Sequence, residues 1–471
     1  MACEQVTLQD VCELIVDCPH TSAKDEGVGY PLIRTPNVGR GRLILTDVHR
    51  VSQDVYERRV SRAVPKQGDL ILAREAPAGN VAIVSPGIEV CLGQRTMLLR
   101  PDSSFVVPEY LNYYLNAPEQ RDRMLRLANG ATVSHINVAD IRNMPVQLPS
   151  RGEQSKVAEL LNVLDDKIDL NNRLNDYLEQ LVDGKFQELF GGLNFNATLS
   201  DVAEITMGQS PAGSSYNEEG AGIIFYQGRG EFGWRFPKRR LYTTEPKRLA
   251  CEGDVLMSVR APVGDLNVAF ENCCIGRGLA AIHSETPSFA LYLMRFLKPQ
   301  LEAYNGEGTV FGSINGKALK SLEVALPSHN EVMQFESFAA PIDALIRSNE
   351  NETRKLNNLR NYLLPKLMSG EIDVSKVDLT QLTNNHLAGR MHWSNVIRVR
   401  AIHAVHSQQS QIPAYESVPK VSHSPCRTAL TLGGIAPLLS WLAVSQFTAQ
   451  SFAMLVVFCQ VVLCGVSSEL S

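Results

Sequence analysis

The sequence lacks the paired cysteines of a zinc-binding module. Its ten cysteines stand at irregular positions, no two of them form a CxxC pair, and Cys273–Cys274 has no second pair. We therefore expect free thiols in a reducing cytoplasm and no metal site. A secretory signal is not expected either, because residues 1–12 carry acids and no apolar run follows a basic start.

The motifs that hold nucleotide cofactors or perform hydrolysis are also missing. Gly208–Ser215 has the glycine spacing of a phosphate-binding loop, but Ser214 stands where the lysine is needed. Gly228–Gly233 is a literal GxGxxG, yet Trp234 and Pro237 follow where a helix should begin. HExxH, GxSxG and a methyltransferase-like Asn-Pro-Pro-aromatic sequence do not occur. The sequence predicts no catalytic residue and no cofactor.

A positive net charge, common in nucleic-acid-binding proteins, is absent, since the chain carries a formal charge of −5. The charges are unevenly distributed, however. Residues 34–66 hold eight bases against three acids, residues 229–248 hold seven against two, and residues 153–190 hold nine acids against four bases. A nucleic acid contacts the charges on one face of a protein and not the average charge of the chain. The two basic segments therefore remain candidates for such a contact.

The chain contains an internal duplication with a period near 180 residues. NGATVSHINVADIRNMPVQLPS (129–150) is matched by EGTVFGSINGKALKSLEVALPS (307–328), and GDLILAREAPAGN (68–80) is matched by GDVLMSVRAPVGD (253–265). Cys-Leu-Gly at 91–93 matches Cys-Ile-Gly at 274–276, and LQDVCEL (8–14) matches LSDVAEI (199–205). Four matches in the same order predict two copies of one globular unit.

Each copy is followed by a long amphipathic helix. Apolar side chains recur at three- and four-residue spacing within 153–190 and again within 335–363. Ser150 and Ser328 each precede a glutamate by three residues, Glu153 and Glu331, which predicts a capping box at both helix starts. Antiparallel packing of these helices would relate the two globular units by a pseudo-twofold axis.

An asparagine interrupts the apolar stripe at the same point of both helices, at Asn171 and Asn349. A buried asparagine in a helical seam costs stability and can fix the register of the helices. The alternative is that the pattern slips there and the asparagine is solvated. The sequence favours neither.

These motifs, in this order, resemble the specificity subunit of type I restriction–modification systems. The resemblance rests on the L-x-D-V-x-E type starts, the GD strands that end in AP-x-G, the I-N…LP junctions and the asparagine-rich helices DLNNRLNDYLEQL and SNENETRKLNNLRNYLLPKLMSGEIDV. It covers about residues 1–379. It implies an α+β fold, with two duplicated mixed α/β target-recognition domains joined by long antiparallel coiled-coil helices.

The resemblance also implies the division of the chain and its partners. Residues 1–150 and 193–328 would be target-recognition domains, and 151–192 and 329–379 helical spacers. Each domain would read one half of a split sequence in double-stranded DNA, and the helices would dock two methylation subunits. Restriction subunits, which supply motor and nuclease, would complete the complex in the cytoplasm. The chain itself would bind neither S-adenosylmethionine nor ATP.

Two basic segments, each before its GD strand, are the predicted DNA contacts. They are RTPNVGRGR (34–42) and QGRGEFGWRFPKRR (227–240), whose glycines would allow close approach of the backbone. Arginine can bond guanine bidentately, and other bases neutralise phosphates. With two positions at the Cys-x-Gly turns, the predicted set is Arg34, Asn37, Arg40, Arg42, Arg95, Arg229, Arg235, Lys238, Arg239, Arg240 and Arg277. The alternative is a pair of solvated basic loops.

The character of the chain changes after about Leu379. Residues 384–426 have no periodicity and are expected to be disordered, whereas residues 428–468 carry no charged side chain. The apolar run 430–466 is long enough to span a bilayer, although Pro437 interrupts it. We favour a non-native extension, for instance from a shifted reading frame, over a membrane tail.

Two other functions are compatible with parts of the pattern. A stand-alone enzyme acting on nucleic acid would need a catalytic constellation, which the sequence does not offer. A coiled-coil scaffold that binds only proteins would not need basic loops in both repeats. Salt-dependent DNA binding would distinguish the scaffold from a DNA reader.

Overall fold

The computed structural model describes residues 4–19, 21–75, 78–128, 135–306 and 312–374. The chain divides into two compact units, of which the first contains residues up to 171 and residues from 352 to 374. The second unit contains residues 172–351. The expected tail from residue 380 lies outside the described residues. No helix in the described ranges is long and apolar enough to cross a membrane.

The first unit is built on three sheets. Its strands are β1 (Glu4–Thr7), β2 (Cys12–Asp17), β3 (Tyr30–Ile33), β4 (Gly41–Arg42), β5 (Arg50–Val51), β6 (Leu70–Ala73), β7 (Val81–Ile83), β8 (Cys91–Leu92), β9 (Thr96–Pro101) and β10 (Pro145–Leu148). Its short helices are α1 (Gln53–Val60), α2 (Pro108–Asn116), α3 (Pro118–Leu127) and α4 (Val138–Arg142). The strands form sheets in the orders β2-β9-β6-β7-β4, β5-β3-β8 and β1-β10. The long helix α5 (Arg151–Phe190) starts in this unit.

The second unit has the same kinds of elements. Its strands are β11 (Ala197–Thr198), β12 (Glu204–Met207), β13 (Tyr216–Asn217), β14 (Ile223–Tyr226), β15 (Leu241–Thr243), β16 (Leu249–Ala250), β17 (Val255–Ser258), β18 (Leu266–Val268), β19 (Cys273–Ile275), β20 (Leu279–His283) and β21 (Glu323–Val324). Its helices are α6 (Leu199–Val202), α7 (Pro287–Phe296), α8 (Lys298–Glu302), α9 (Gly316–Lys320) and the long helix α10 (His329–Met368). The sheet orders are β12-β20-β17-β18, β13-β15-β14-β19-β16 and β11-β21.

The strands that carry the matched sequence motifs share several neighbours in the two units. The order β2-β9-β6-β7 in the first corresponds to β12-β20-β17-β18 in the second. The parallel pair of β3 with β8 corresponds to the parallel pair of β14 with β19. The structure is therefore mixed α/β with long helices, and its two units repeat one local strand pattern.

The GD sequences enter the central strand of each unit through the same turn. Gly68 and Gly253 have φ of 86° and 89°, a conformation that glycine adopts without steric cost. The following aspartates accept a backbone N–H from three residues earlier, at 2.8 Å for Asp69 and 2.7 Å for Asp254. Strands β6 and β17 are then buried along their whole length, as the apolar runs predict.

The predicted helix starts are confirmed. The hydroxyls of Ser150 and Ser328 donate to Glu153 at 2.8 Å and Glu331 at 2.6 Å, and each glutamate N–H points back to its serine. These capping boxes satisfy N–H groups that a helix start leaves without a partner. Helices α5 and α10 then continue for 40 residues each.

The asparagines in the helical stripe are buried. In the first unit Asn171 is 1% exposed, and its amide donates to Glu352 at 2.8 Å. In the second unit the amide of Asn349 donates to the side-chain oxygen of Asn175 at 2.8 Å. The buried alternative is therefore the one that the structure adopts, because each amide finds a polar partner on the other helix.

Candidate nucleic-acid interface

Both predicted DNA-contact segments leave a strand beside a Cys-x-Gly turn. The N–H of Gly93 donates to Ile33 and that of Gly276 donates to Tyr226, each at 2.8 Å. A Cβ on either glycine would lie 2.8 Å from a backbone oxygen, so only glycine allows this approach. The fold thereby brings the start of each basic segment next to the turn that carries Arg95 in the first unit and Arg277 in the second.

In the first unit, Asn37 shapes the loop. Asn37 is buried, its oxygen accepts the backbone N–H of Arg34 at 3.2 Å, and its amide donates to the carbonyl of Ile44 at 3.2 Å. Because these bonds use its polar atoms, Asn37 has a structural role here. Arg34 is half-buried, and its Nε lacks a hydrogen-bond partner among the described residues.

The remaining first-unit arginines differ in how their charges are neutralised. Arg40 is exposed and has no carboxylate partner in the described part of the chain. Arg95 is exposed, has a left-handed φ of 66° and forms an ion pair with Glu75 at 2.8 Å. Arg42 is bound by two carboxylates of α5, Asp166 and Asp169, each at 2.5 Å. Although burial alone would lower the pKa of Arg42, these carboxylates raise it above its ordinary value.

In the second unit, three of the six predicted bases are exposed but paired. Arg229 pairs with Asp265, Arg239 with Glu271 at 2.6 Å, and Arg240 with Glu231 at 2.9 Å and Glu218 at 3.3 Å. Lys238 and Arg277 are also exposed, and neither side chain has a carboxylate partner within the described ranges. These two carry the uncompensated positive charges of the predicted set in this unit.

Sequence reasoning missed Arg260, which lies beside Arg277. The N–H of Val259 donates to the carbonyl of Gly278 at 3.0 Å, which places the following arginine next to the turn that holds Arg277. Arg260 is exposed and, like Arg277, has no carboxylate partner among the residues that the structure describes. Its position directly before the AP-x-G sequence was the signal that could have identified it.

The structure is inconsistent with direct DNA contact by Arg235. This side chain is 4% exposed, and its guanidinium lies 3.2 Å from both Glu179 of α5 and Asp343 of α10. It also donates to the hydroxyl of Tyr292 at 3.1 Å. No sequence pattern indicates this burial, because the acids that bind Arg235 lie far from it along the chain.

The first unit contains a corresponding arrangement around Arg42. Tyr113 of α2 donates to Asp165 of α5 at 2.7 Å, close to the carboxylates that bind Arg42. In the second unit Tyr292 of α7 donates to Asp343 at 3.1 Å, next to Arg235. In both units, therefore, an arginine and a tyrosine from the globular part bind acids on a long helix.

Comparison with known proteins gives consistent results. The sequence profile of the type I restriction modification DNA specificity domain matches residues 2–180 and again residues 196–361. The putative type I restriction enzyme MjaX specificity subunit of Methanocaldococcus jannaschii is 31% identical over an alignment of 396 residues that covers 78% of this chain and 93% of that protein. The EcoKI specificity subunit of Escherichia coli is 22% identical over an alignment of 412 residues that covers 75% of this chain and 86% of that one.

A solved structure is similar in fold. The crystal structure of a type I restriction–modification S subunit from M. genitalium aligns over 78% of this chain and 96% of that chain, with a TM-score of 0.53 and 15% identity. At this identity the likeness concerns the fold alone.

Proposed function

This chain belongs to the type I restriction–modification DNA specificity family, and from that membership we propose that its two units each read one half of a split DNA target. As a specificity subunit it supplies recognition and not catalysis. The observation that carries the proposal is the double match of one DNA-specificity profile, once on each unit. The repeated strand pattern supports it.

We propose the following division of labour along the chain. Residues 1–150 and 193–328 act as duplicated target-recognition domains, and residues 151–192 and 329–379 act as antiparallel coiled-coil spacers. Hydrogen bonds within the first unit support the antiparallel helix pairing, because Asp165 bonds Arg360 at 2.7 Å whereas Asn171, further along α5, bonds the earlier residue Glu352. The spacers would dock two methylation subunits, and restriction subunits would join them in the cytoplasm.

We further propose that DNA is contacted by the exposed bases of the two loop regions. In the first unit these are Arg40 and Arg95, together with the half-buried Arg34, and in the second they are Arg229, Lys238, Arg239, Arg240, Arg260 and Arg277. Asn37, Arg42 and Arg235 are assigned to support of the loops, because their polar groups already have protein partners. Exposed bases can neutralise phosphates, and arginines among them can bond base edges.

Methylome sequencing tests this function. The chain would be expressed with its cognate methylation subunit in a host that lacks both, and modified bases would be mapped. We expect a new motif of two short half-sites separated by a fixed gap. An assembled complex that produced no new modified motif would overturn the proposal and favour a protein-binding scaffold. Binding of DNA that did not weaken with salt would also contradict it, since phosphate contacts make affinity fall as salt rises.

A further inference from the structure

Three potential metal ligands meet at one end of the central sheet in the second unit. Cys251 lies in the turn before β17, Asp254 enters that strand, and His283 ends β20. One ligand atom from each, a sulfur, a carboxylate oxygen and a ring nitrogen, all lie within 4.8 Å of one another. Thiolate, carboxylate and imidazole are the ligands that zinc takes in proteins, and a water molecule can complete a four-ligand site.

The fold fixes the central ligand and leaves the other two adjustable. Asp254 is 6% exposed, with one oxygen 2.6 Å from Nδ1 of His283 and the other accepting the backbone N–H of Cys251 at 2.7 Å. The side chains of Cys251 and His283 are exposed, so each can rotate toward an ion that arrives from solvent. Small side-chain rotations would bring these three atoms to ligand distances.

The first unit provides an internal comparison, because it has the same turn with different side chains. There Lys66 stands in the place of Cys251, and its backbone N–H donates to Asp69 at 2.8 Å. Arg100 stands in the place of His283 and binds Asp69 at 2.7 and 2.9 Å. The aspartate is common to both units. The two residues beside it in the first unit, Lys66 and Arg100, are cations that cannot bind a metal, whereas their counterparts Cys251 and His283 can.

From this pattern we propose that Cys251, Asp254 and His283 form a zinc site in the second unit. Neutralisation of the buried aspartate would by itself account for a histidine in place of Arg100. It does not account for a cysteine in place of Lys66, since a thiol adds no positive charge next to the carboxylate. A bound Zn²⁺ accounts for both changes, because it neutralises Asp254 and uses both new side chains as ligands.

The site would stabilise the unit rather than contact DNA. It lies where Val255 pairs with Ile282, whereas Arg260 and Arg277 lie near the other end of the same two strands, where Ser258 pairs with Leu279. Zinc there would join the turn before β17 to the end of β20. Binding of an ion to the folded state alone raises the melting temperature as its concentration increases.

The first test is titration of the full chain with Zn²⁺, followed by thermal unfolding. A parallel titration with Co²⁺ provides a spectroscopic probe of thiolate coordination. The matched variant is Cys251→Lys/His283→Arg, which gives the second unit the side chains of the first and keeps Asp254 neutralised. We expect the wild type to bind one more zinc ion per chain than the variant and to show a zinc-dependent rise in melting temperature that the variant lacks. The cobalt–thiolate absorption should disappear in the variant as well.

Equal binding by both proteins, or binding by neither, would overturn the proposal. Cysteines and histidines elsewhere in the chain are identical in the two proteins, so ions bound by them cancel in the comparison. A variant that melts at the wild-type temperature without zinc shows that it folds. The reciprocal change, Lys66→Cys/Arg100→His, should add one further zinc ion to the wild-type count, and failure to add it would contradict the assignment of the site to these three positions.

Discussion

Lys238, Arg260 and Arg277 have no carboxylate partner among the described residues, whereas Arg229, Arg239 and Arg240 are each paired with an acid. A paired arginine must give up its partner, or carry it along, before it can neutralise a phosphate, whereas an unpaired base needs no such exchange. The number of arginines in a loop is therefore a poor guide to the strength of a DNA contact. The strength of the contact depends on whether each basic side chain is exposed and whether a carboxylate already binds it.

We predict that Lys238→Ala and Arg277→Ala each weaken DNA binding and lower the slope of log affinity against log salt by about 1. Arg240→Ala should have a smaller effect, because Glu231 and Glu218 already neutralise that charge. The measurement is fluorescence anisotropy on a target duplex over a range of salt concentrations. Lys320→Ala is the control, since this exposed lysine lines a surface hollow with His283, at the other end of β20 from Arg277. Equal losses in all four variants would contradict the proposed interface.

Glu336 makes a pH-dependent contribution to stability with a definite sign. Its carboxylate accepts the backbone N–H groups of Ser288 at 3.2 Å and Phe289 at 2.8 Å at the start of α7. Burial nevertheless raises its pKa above the ordinary value of 4.5. The folded state therefore holds this proton more tightly than the unfolded state, so the stabilising contribution is full below pH 4.5 and is lost as pH rises through the raised pKa.

We expect Glu336→Gln to remove this contribution while keeping an acceptor for the helix N–H groups. The free energy of unfolding of the wild type, relative to the variant, should fall as pH rises above 4.5 and through the raised pKa of Glu336. Urea unfolding of both proteins at several pH values measures the difference, and other titrating groups cancel in it. A difference that stays constant or rises with pH would show that burial does not control this carboxyl group.

At the scale of elements, each globular part is tied to a long helix by a buried or half-buried arginine. Arg235 binds Glu179 and Asp343, and Arg42 binds Asp166 and Asp169. A loop anchored in this way presents its exposed bases in a fixed position relative to the helix. In each unit, therefore, one arginine of the basic segment supports the loop, and the DNA contact that we propose is assigned to the other bases.

We predict that Arg235→Ala destabilises the protein by about 3–5 kcal/mol, because it leaves the partly buried Asp343 without its counter-charge and removes one of the two arginines that bind Glu179. Arg42→Ala should cost less, since the Arg42 side chain is 37% exposed and water can replace part of the interaction. Arg240→Ala, at the surface, should change stability far less than either of these variants. Urea unfolding compares the three variants, and a cost for Arg235→Ala as small as that for Arg240→Ala would exclude an anchoring role.

The paired asparagines of the second unit give a prediction about the long helices. Asn349→Ala should cost about 1–3 kcal/mol, since it removes the amide that donates to the buried Asn175. The double variant Asn175→Leu/Asn349→Leu should cost less than the sum of the two single leucine changes, because neither polar group is then left without its partner. A double-mutant cycle of unfolding free energies measures this coupling, expected to be about 0.5–3 kcal/mol. Additive effects would show that the two side chains act independently.

At the scale of the whole chain, the folded part of the first unit continues past the last long helix. Val374 is 1% exposed and Leu367 is 2% exposed, and both belong to the hydrophobic core of that unit. Ile372 packs against the same core. The core of the first unit therefore extends beyond the end of α10, and a truncated chain must keep residues up to Val374 to leave this core intact.

We predict that truncation after Leu379 leaves assembly with methylation subunits and DNA recognition intact. Truncation after Met368 should lower the melting temperature, because it removes Val374 and Ile372 from the core of the first unit. Co-purification with methylation subunits, methylome sequencing and thermal unfolding would compare the two truncated proteins with the full chain. Loss of assembly in the longer truncation would show that residues after 379 take part in function.

The sequence alone determined the features that depend on local pattern and on repetition. The GD turns, the buried strands after them, the serine caps and the long helices follow from backbone preferences and hydrophobic periodicity, which neighbouring residues are sufficient to specify. The duplicated motifs, read together, also indicated the family that the comparisons show. The DNA contacts proposed for Arg34, Arg40 and the exposed bases stay predictions, because no observation on DNA tests them.

Only the tertiary structure decided which charges are available and which side chains meet. Glu179, Arg235 and Asp343 lie on three separate elements, so no spacing along the chain could indicate that the arginine is buried between the two acids. Cys251, Asp254 and His283 likewise converge from a turn and two strand ends, which is why a search for paired cysteines predicted no metal site there. Burial and ion pairing arise from contacts between segments that are far apart along the chain. A sequence pattern indicates only the contacts between residues that are close along the chain.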